Sequence, residues 1–216
     1  MHVLLTAGPT YEPLDPVRFL GNRSTGKMGY ALAEAFAAAG AEVTLVSGPS
    51  ALPAPTSPRV RTVRVETAAE MFAAAAAAAR TAGIWVFAAA VADYRPAHVA
   101  GEKIKKSGET LTLELVKNVD IATTLGKTKR PEQFSVGFAL ETTNELAHAR
   151  DKLRRKNFDM VVLNSLRDAG AGFGHDTNKV SVLDGRGEVL TFDLMAKADL
   201  ATALVRLVLA RLAAVR

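Results

Sequence analysis

The sequence predicts an α/β protein built as a three-layer sandwich, with a mainly parallel central sheet and a C-terminal β-hairpin. Apolar runs such as Ile84–Ala90 (IWVFAAA) have the length and uniform hydrophobicity of strands buried on both faces of a parallel sheet. Segments with helical spacing of apolar residues lie between these runs, so strands and helices alternate along the chain. In such a sheet a ligand is expected at the carboxyl ends of the strands.

The first elements form a βαβ unit. His2–Leu5 is a short apolar run that predicts a strand, and Glu42–Val46 predicts the next one. Between them we expect a helix that is capped by Ser24 or Thr25 and ends at Gly40. Its apolar face would comprise Met28, Leu32, Ala35, Phe36 and Ala39.

A second unit follows after a loop. Gly48–Arg59 is rich in proline, alanine and serine and predicts a surface loop, and Val60–Val65 predicts a strand. Thr67–Glu70 has the spacing of a capping box and would begin an alanine-rich helix that ends near Gly83. Ile84–Ala90 is then the next buried strand.

The middle of the chain continues the alternation. Thr110–Val116 predicts a half-buried strand because its leucines alternate with polar residues. Ser135–Leu140 and Met160–Leu163 predict buried strands. The segment Asn144–Lys156 predicts a helix between them, with three residues pointing inward: Leu146, Ala149 and Leu153.

The chain closes with a hairpin and a helix. A glycine-rich loop is expected at Ala169–Gly174. Lys179–Leu183 and Glu188–Phe192 predict two strands, joined as a hairpin by Asp184–Gly187. An amphipathic helix is predicted from about Lys197 to the end.

Composition restricts the functional class. The 216 residues, 49% of them hydrophobic, fit a single domain over 1–216. Absence of an apolar run of about 20 residues and of an N-terminal signal segment predicts a cytoplasmic protein without a membrane partner. Zero cysteines exclude disulfides, thiolate zinc sites and thiol nucleophiles. A net charge of +5 suits nucleic acid or a small polyanion, and the low aromatic content of 6% favours the polyanion, so no nucleic-acid partner is expected.

The loop between the first strand and the first helix is a candidate anion site. Helix N-termini favour anions because their amides are unpaired and the helix dipole is positive there. Gly21–Lys27 fits the first part of the P-loop pattern, but Met28 stands where that loop needs a hydroxyl for Mg²⁺. A Rossmann dehydrogenase is also disfavoured, because the pattern G-x-G-x-x-G is missing and the second strand is not followed by an acidic residue.

Two further segments carry chemically useful residues. Asp93 follows the strand Ile84–Ala90 directly, and the small residues that end this strand would let a flat ring approach the backbone. The cluster Glu102–Lys106 could meet phosphates with Lys103, Lys105 and Lys106. The alternatives are a turn or helix-cap role for Asp93 and a solvated loop for the lysines.

Basic and amide side chains elsewhere could also bind substrate. Lys152 and Lys156 share one face of the predicted helix, although a solvated surface is the alternative. In the first loop, Asn22 could hold a carbonyl or oxyanion and Arg18 could clamp a carboxylate or phosphate. Their alternatives are a turn former and a surface charge. The four histidines lack metal-ligand spacing and are assigned no role.

Taken in order, six motifs resemble the phosphopantothenoylcysteine synthetases of coenzyme A biosynthesis. The motifs are TAGPTYEPLDPVRFLGNRSTGKMG, AAAVADYRP, EKIKK, VKNVDI, VGFALET and the basic run Lys152–Asn157. The resemblance covers essentially the whole chain and implies a Rossmann-like fold. It also implies a ligase in which the carboxylate of 4'-phosphopantothenate attacks the α-phosphate of CTP, and L-cysteine then displaces CMP from the acyl-cytidylate.

The resemblance assigns roles by matching motif. It implies catalytic roles for Asn22 and Lys103, and substrate binding by Arg18, Asn22 and Ala90. The nucleotide site would comprise Phe87, Ala88, Ala89, Asp93, Lys103, Val119, Asp120, Ile121, Ala122, Phe138, Lys152 and Lys156. Mg²⁺ is expected with CTP, because a triphosphate's leaving charge needs neutralising; no metal ligands are assigned.

The resemblance has departures and open alternatives. Val119 stands where the bacterial pattern usually has proline, and Gly21 and Arg23 are unusual beside the asparagine. The resemblance implies a homodimer. It is compatible with a stand-alone synthetase or with a domain excised from a fusion, and in either case a separate decarboxylase is a possible partner. The alternatives for function are an ATP-dependent version of this ligase and a non-catalytic nucleotide-binding or NAD(P)-binding protein.

Overall fold

An eight-stranded sheet forms the centre of the protein. The computed structural model describes residues 1–106, 108–141, 143–165, 170 and 172–214. The strands are β1 His2–Ala7, β2 Tyr11–Pro13, β3 Phe19–Gly21, β4 Glu42–Ser47, β5 Val60–Arg64, β6 Ile84–Phe87, β7 Tyr94–Pro96, β8 Leu115–Lys117, β9 Phe134–Glu141, β10 Met160–Ser165, β11 Thr177–Asp184 and β12 Val189–Ala196. The helices are α1 Lys27–Ala38, α2 Ala68–Ala79, α3 Ile121–Gly126, α4 Glu145–Arg155 and α5 Lys197–Ala213.

The order of the strands is that of a Rossmann-like fold. The central sheet runs β12-β11-β10-β9-β6-β1-β4-β5. Every pair from β10 to β5 is parallel, whereas β11 and β12 are antiparallel. The six parallel strands therefore follow the order 3-2-1-4-5-6 along the chain, and the order reverses between β1 and β6. The predicted mainly parallel sheet with a C-terminal hairpin is confirmed.

Helices cover both faces of the sheet, which gives the three predicted layers. On one face α1 and α5 contribute Phe36 and Leu204 to one buried cluster. On the other face α2, α3 and α4 contribute Met71, Leu125 and Ala149 to a second cluster. The longest helix, α5, has 17 residues, and within the described ranges no helix has both the length and the apolar character to span a bilayer.

The capping box of α2 and the turn between β11 and β12 are present as predicted. Thr67 caps α2 by accepting a hydrogen bond from the Glu70 amide at 3.2 Å, and the Glu70 carboxylate accepts from the Thr67 amide at 3.4 Å. The turn between β11 and β12 closes with the Gly187 amide donating to the Asp184 carbonyl at 3.1 Å. The capping box and the hairpin are thus confirmed. In the predicted loop Ala169–Gly174, residues 169 and 171 lie outside the described residues.

The predicted cap of α1 is wrong. The N-cap residue is Gly26, with φ of 83°, and no side chain caps the helix. The Ser24 hydroxyl accepts instead from the Gly26 amide at 3.3 Å, and the Thr25 carbonyl accepts from Ser50 at 2.9 Å. The first turn of α1 therefore keeps amides without a side-chain cap. Gly29 sits so close to β1 that an added Cβ would lie 2.4 Å from that of Ala7.

The predicted strand Thr110–Val116 is also wrong. Only Leu115–Lys117 is a strand, β8, and it pairs with β7 in a separate two-stranded sheet. Leu111, Leu113 and Leu115 are 56%, 41% and 42% exposed. Leucines alternate with other residues as predicted, but none of the described elements covers the face that carries these leucines. Leu146 likewise points outward, at 44% exposure, instead of into the core.

Candidate active site

A cleft of about 320 Å³ opens at the carboxyl ends of β1, β6 and β9, where the strand order reverses. This is the position at which open α/β sheets bind ligands. The cleft brings together most of the predicted nucleotide-binding and substrate-binding residues: Phe87, Ala88, Ala89, Ala90, Asp93, Val119, Asp120, Ile121, Ala122, Phe138, Lys152 and Lys156.

The small residues that follow β6 form one wall of the cleft. Although β6 ends at Phe87, before the predicted Ala90, Ala90 still forms an isolated parallel bridge with Pro9 of the first loop. The Ala88 and Ala90 amides donate to the carbonyls of Thr6 and Gly8 at 3.1 and 2.9 Å. Methyl side chains in a pinned segment leave the backbone accessible, so a flat ring can approach it.

Asn22 lies at the rim of this wall. Its side-chain amide donates to the carbonyls of Ala90 and Val91 at 2.9 and 3.2 Å. Asn22 is exposed and is not part of the cleft lining. The contact nevertheless joins the first loop to the wall that carries Ala90, so two of the three predicted substrate-binding residues, Asn22 and Ala90, are neighbours.

A turn before α3 closes the neighbouring side of the cleft. The Asn118 amide donates to the Asp93 carbonyl, and its side chain donates to the Ala92 carbonyl, both at 2.9 Å. Asn118 thereby fixes the turn Val119–Ala122 against Asp93. Asn118 also lines the cleft, and it was missed although it lies inside a motif that was recognised.

Lys152 of α4 and Lys156, the C-cap residue of the same helix, make this side of the cleft positive. The Lys156 ammonium lies 2.9 Å from Asp120, which caps α3 by accepting from the Thr123 amide at 3.0 Å. Burial acts to raise the pKa of Asp120, but hydrogen bonds from Thr123 and Lys156 outweigh it, and the pKa is lowered. Burial, and next the charge of Lys156, lower the pKa of Lys152. A bound polyanion would relieve this repulsion between the lysines.

A second positive group, which was not predicted, lies on the α1 side. Lys27 lines the cleft and donates to Asp176 at 2.6 Å, and this contact lowers the pKa of Asp176. Lys197, the first residue of α5, also lines the cleft, and its ammonium donates to the Gly172 carbonyl at 3.0 Å. Burial lowers the pKa of Lys197, and the charge of Lys27 adds to this effect.

Amides at the end of β10 complete the lining. Asn164 and Asn178 line the cleft and are joined by a side-chain hydrogen bond of 3.0 Å. The position of Asn164 at the carboxyl end of a parallel strand was the available signal for it. Lys197 and Asn178 gave no such signal, because only the packing of the hairpin and α5 brings them to the cleft.

Arg18 and Lys103 lie outside the cleft lining. The Arg18 guanidinium is paired with the buried carboxylate of Asp15 and donates to the Ile104 carbonyl at 2.8 Å. Lys103 is exposed in the segment that precedes Ile104. Their roles in substrate binding and catalysis stay predictions.

The sheet order and the position of the cleft define a Rossmann-like α/β protein with a cleft at the switch point. The chain matches, over residues 1–212, the family model of the DNA/pantothenate metabolism flavoprotein C-terminal domain. It therefore belongs to this family, and the resemblance to the phosphopantothenoylcysteine synthetases is confirmed at that level.

Individual relatives are similar to this chain over most of its length. The chain is 46% identical over 208 residues to the coenzyme A biosynthesis bifunctional protein CoaBC of Vibrio cholerae, covering 95% of this chain and 51% of that protein. It is 48% identical over 207 residues to a cysteine/cysteine sulfinic acid decarboxylase of an unknown prokaryote, covering 96% and 57%. A crystal structure of the C-terminal domain of a CoaBC protein superposes with a TM-score of 0.81 at 42% identity, covering 96% and 93%. The chain thus spans about half the length of the curated relatives it matches.

Proposed function

We propose that the protein is a ligase that joins 4'-phosphopantothenate to L-cysteine and consumes CTP. The observation that carries this proposal is the cleft itself: in a member of this family, it combines a narrow wall of small residues with the paired ammonium groups of Lys152 and Lys156. A ring and a polyphosphate are the two parts of a nucleotide, and the cleft offers a surface for each. The name of the CoaBC relatives supports coenzyme A biosynthesis as the setting.

The reaction has two steps. In the first, a carboxylate oxygen of 4'-phosphopantothenate attacks the α-phosphorus of CTP, the bond to the bridging oxygen of the β-phosphate breaks, and pyrophosphate leaves. In the second, the amine of cysteine attacks the acyl carbonyl of the resulting acyl-cytidylate. The carbon–oxygen bond to the cytidylate breaks, CMP leaves with the electron pair, and the amine proton passes to solvent.

The cleft residues have separate tasks in these steps. Lys152 and Lys156 neutralise the triphosphate, and the exposed Lys103 adds a charge from its own segment. The backbone around Ala88–Ala90 and the carboxylate of Asp93 can accept hydrogen bonds from the exocyclic amine of cytosine, which adenine would present differently. This favours CTP over ATP as the nucleotide.

Asn22 acts on the acyl group. Its contacts to the Ala90 and Val91 carbonyls hold its amide at the rim, beside the wall that we assign to the nucleotide. Both hydrogens of this amide are donated to the two carbonyls in the free protein, so one of these contacts is exchanged for a hydrogen bond to the acyl oxygen, where the amide stabilises the oxyanion that forms when cysteine attacks. Ala90 contacts Asn22, and Arg18 belongs to the same loop as Asn22; we assign both to phosphopantothenate.

Mg²⁺ would arrive on the phosphates of CTP. Among the described residues no group of three or more histidine and acidic side chains could hold a metal ion. Mg²⁺ is commonly bound through one or two carboxylates together with substrate phosphates, and Asp93 and Asp120 border the cleft. When bound, the ion neutralises charge on the departing pyrophosphate.

We also propose that the protein acts as a homodimer. The two-stranded sheets β2–β3 and β7–β8 carry exposed apolar side chains, and they contact each other through β2 and β7. They carry Phe19, Leu20, Tyr94 and Leu115 at 49%, 37%, 43% and 42% exposure. Sedimentation of the wild-type protein and of Leu115→Lys would test this. We expect a dimer for the wild type and a monomer for the variant.

A separate decarboxylase is the proposed partner protein, and it would catalyse another reaction of coenzyme A biosynthesis.

Pyrophosphate release tests the ligase. It would be followed with CTP, 4'-phosphopantothenate and Mg²⁺, with and without L-cysteine, and repeated with ATP. Sustained release that requires CTP and cysteine supports both steps. Sustained release with ATP but not with CTP would favour the ATP-dependent ligase. No release with either nucleotide by folded protein would favour a non-catalytic nucleotide-binding or NAD(P)-binding protein.

A further inference from the structure

Asp15 is an unusual residue of the first loop because its carboxylate is charged and fully buried. Only 3% of the residue is exposed, and its side chain is completely covered. One oxygen, Oδ1, accepts from the amides of Val17 and Arg18 at 2.8 and 2.9 Å. This half of the carboxylate therefore forms a local turn within the loop.

The other oxygen reaches a different part of the chain. Oδ2 accepts from the Arg18 guanidinium, at 3.0 Å from its Nε, and from the amide of Ile104 at 3.1 Å. Arg18 in turn donates to the carbonyl of Ile104 at 2.8 Å. The ion pair thus holds the Ile104 residue by its amide and its carbonyl together. The Arg18 guanidinium, and then the backbone amides, hold the pKa of Asp15 well below its usual range, so the carboxylate stays charged.

The residue held in this way follows Lys103 directly. The segment Gly101–Lys106 has no regular secondary structure and is mostly exposed. Besides the two contacts at Ile104, the nearby Ala100 amide donates to the Leu14 carbonyl at 3.0 Å. The first loop is therefore what anchors this stretch of chain.

We infer that Asp15 is a positioning residue for the nucleotide: with Arg18 it clamps Ile104 and thereby holds Lys103 beside the first loop. This inference rests on the proposed function, in which Lys103 meets the phosphates of CTP. The ion pair also connects the segment that carries Lys103 to the loop that carries Asn22, because Arg18 belongs to that loop. The proposed nucleotide and phosphopantothenate sites are therefore linked through it. No catalytic contact with substrate is required of Asp15.

The substitution Asp15→Asn separates the two halves of the carboxylate. Asparagine keeps an oxygen that can accept from Val17 and Arg18 as Oδ1 does, but presents an NH₂ group where Oδ2 accepted from Ile104 and the guanidinium. The local turn is retained while the clamp is lost. Arg18→Lys is a second variant, which keeps the charge but lacks the planar fork that reaches Asp15 and Ile104 at once.

Limited digestion with trypsin measures how readily the segment that carries Lys103 opens, and it requires no nucleotide. Cleavage after Lys103, Lys105 and Lys106 would be quantified by mass spectrometry in the wild type, both variants and the control Glu42→Gln. Glu42 forms an exposed ion pair with Arg59 in another part of the chain. We expect cleavage at the three lysines to rise about tenfold or more in both variants, since loss of a hydrogen bond to a charged group favours local opening by about that factor.

Ligase kinetics then test the consequence. In Asp15→Asn the KM for CTP should rise about tenfold while kcat at saturating CTP changes less than about threefold, because Lys103 is displaced and not removed. Faster cleavage at sites throughout the chain, or unchanged cleavage at the three lysines, would overturn the clamp. Faster local cleavage with an unchanged KM would overturn its role in positioning. Absence of ligase activity in the wild type would instead refute the proposed function, and the digestion result would stand apart from it.

Discussion

Asn22 is the residue that we propose acts in the second step alone. Its amide is held by the Ala90 and Val91 carbonyls, outside the lining of the cleft. We therefore expect Asn22→Ala to bind CTP almost normally but to form the amide about 10²- to 10³-fold more slowly, as on loss of one oxyanion donor. Calorimetric titration with CTP and single-turnover formation of phosphopantothenoylcysteine would measure the two effects. Amide formation at the wild-type rate would show that this role is wrong.

Lys103 should contribute to the nucleotide through its charge. It is exposed and lies outside the lining, so Lys103→Gln leaves the fold unaffected. The loss of one phosphate contact is expected to raise the KM for CTP or to lower kcat about tenfold or more. Steady-state kinetics would check this, with Lys127→Gln, an exposed lysine at the end of α3, as the control. Unchanged kcat and KM would remove Lys103 from the site.

Lys152 should make nucleotide binding sensitive to alkaline pH. Burial, followed by the charge of Lys156, lowers its pKa. As the pH rises through this lowered pKa, the free protein loses the ammonium, and we expect it to bind CTP more weakly at pH values below the usual lysine pKa of about 10.4. In the same window the unfolded chain binds more protons than the native protein, so the stability of the free protein rises with pH.

The two opposite trends can be measured together. Titration calorimetry with CTP and thermal unfolding would be repeated at several alkaline pH values. In Lys152→Arg the guanidinium stays charged, so the loss of affinity between neutral pH and about pH 10 should disappear. A variant with the same pH dependence as the wild type would assign the effect to another group.

The junction of β1 and α1 depends on a glycine that packs against a strand. A Cβ added at Gly29 would lie 2.4 Å from the Cβ of Ala7 and 3.2 Å from its Cα. Gly29→Ala must therefore push α1 away from β1, and overpacking of this kind costs about 1–3 kcal/mol. The KM for CTP should rise as well, because the displaced first turn carries Lys27. Gly83→Ala is the matched control, since a Cβ there has no heavy atom of the described residues within 4 Å. Equal stability of the two variants would contradict the argument.

Elements were predictable where the signal was local. The capping box of α2 and the turn after β11 depend on residues within a few positions of each other, and both are present. The alternation of Leu111, Leu113 and Leu115 was misleading, because a pattern with two faces does not say whether another element covers either face. The contiguous wall Phe87–Asp93 could likewise be predicted to lie at the cleft. Lys197 could not, since it reaches the cleft only through the packing of α5.

The two ends of the parallel sheet carry different features. The cleft lies at the carboxyl ends of the strands, whereas a partly buried ionic network lies at the amino ends of β9 and β10. There the Lys129 ammonium, whose side chain is 8% exposed, donates to the Asn157 carbonyl, Asp159 and Ser135 at 2.6, 2.7 and 3.1 Å. The network ties the loop before β9 to the start of β10.

Removing this ammonium should lower stability and leave the chemistry intact. Lys129→Met deprives the Asp159 carboxylate of its cation, although Asp159 still accepts from the Ser135 amide at 2.7 Å, and loss of hydrogen bonds to a charged group costs about 1–3 kcal/mol. Denaturant unfolding would measure the loss, and kcat and KM for CTP should stay within about twofold of the wild type because the site is at the other end of the strands. Arg130→Met is the control: Arg130 pairs with Glu132 at half-exposed side chains, so its loss should change stability by less than about 0.5 kcal/mol. A variant of Lys129 with wild-type stability but impaired catalysis would mean that the amino ends of the strands take part in function after all.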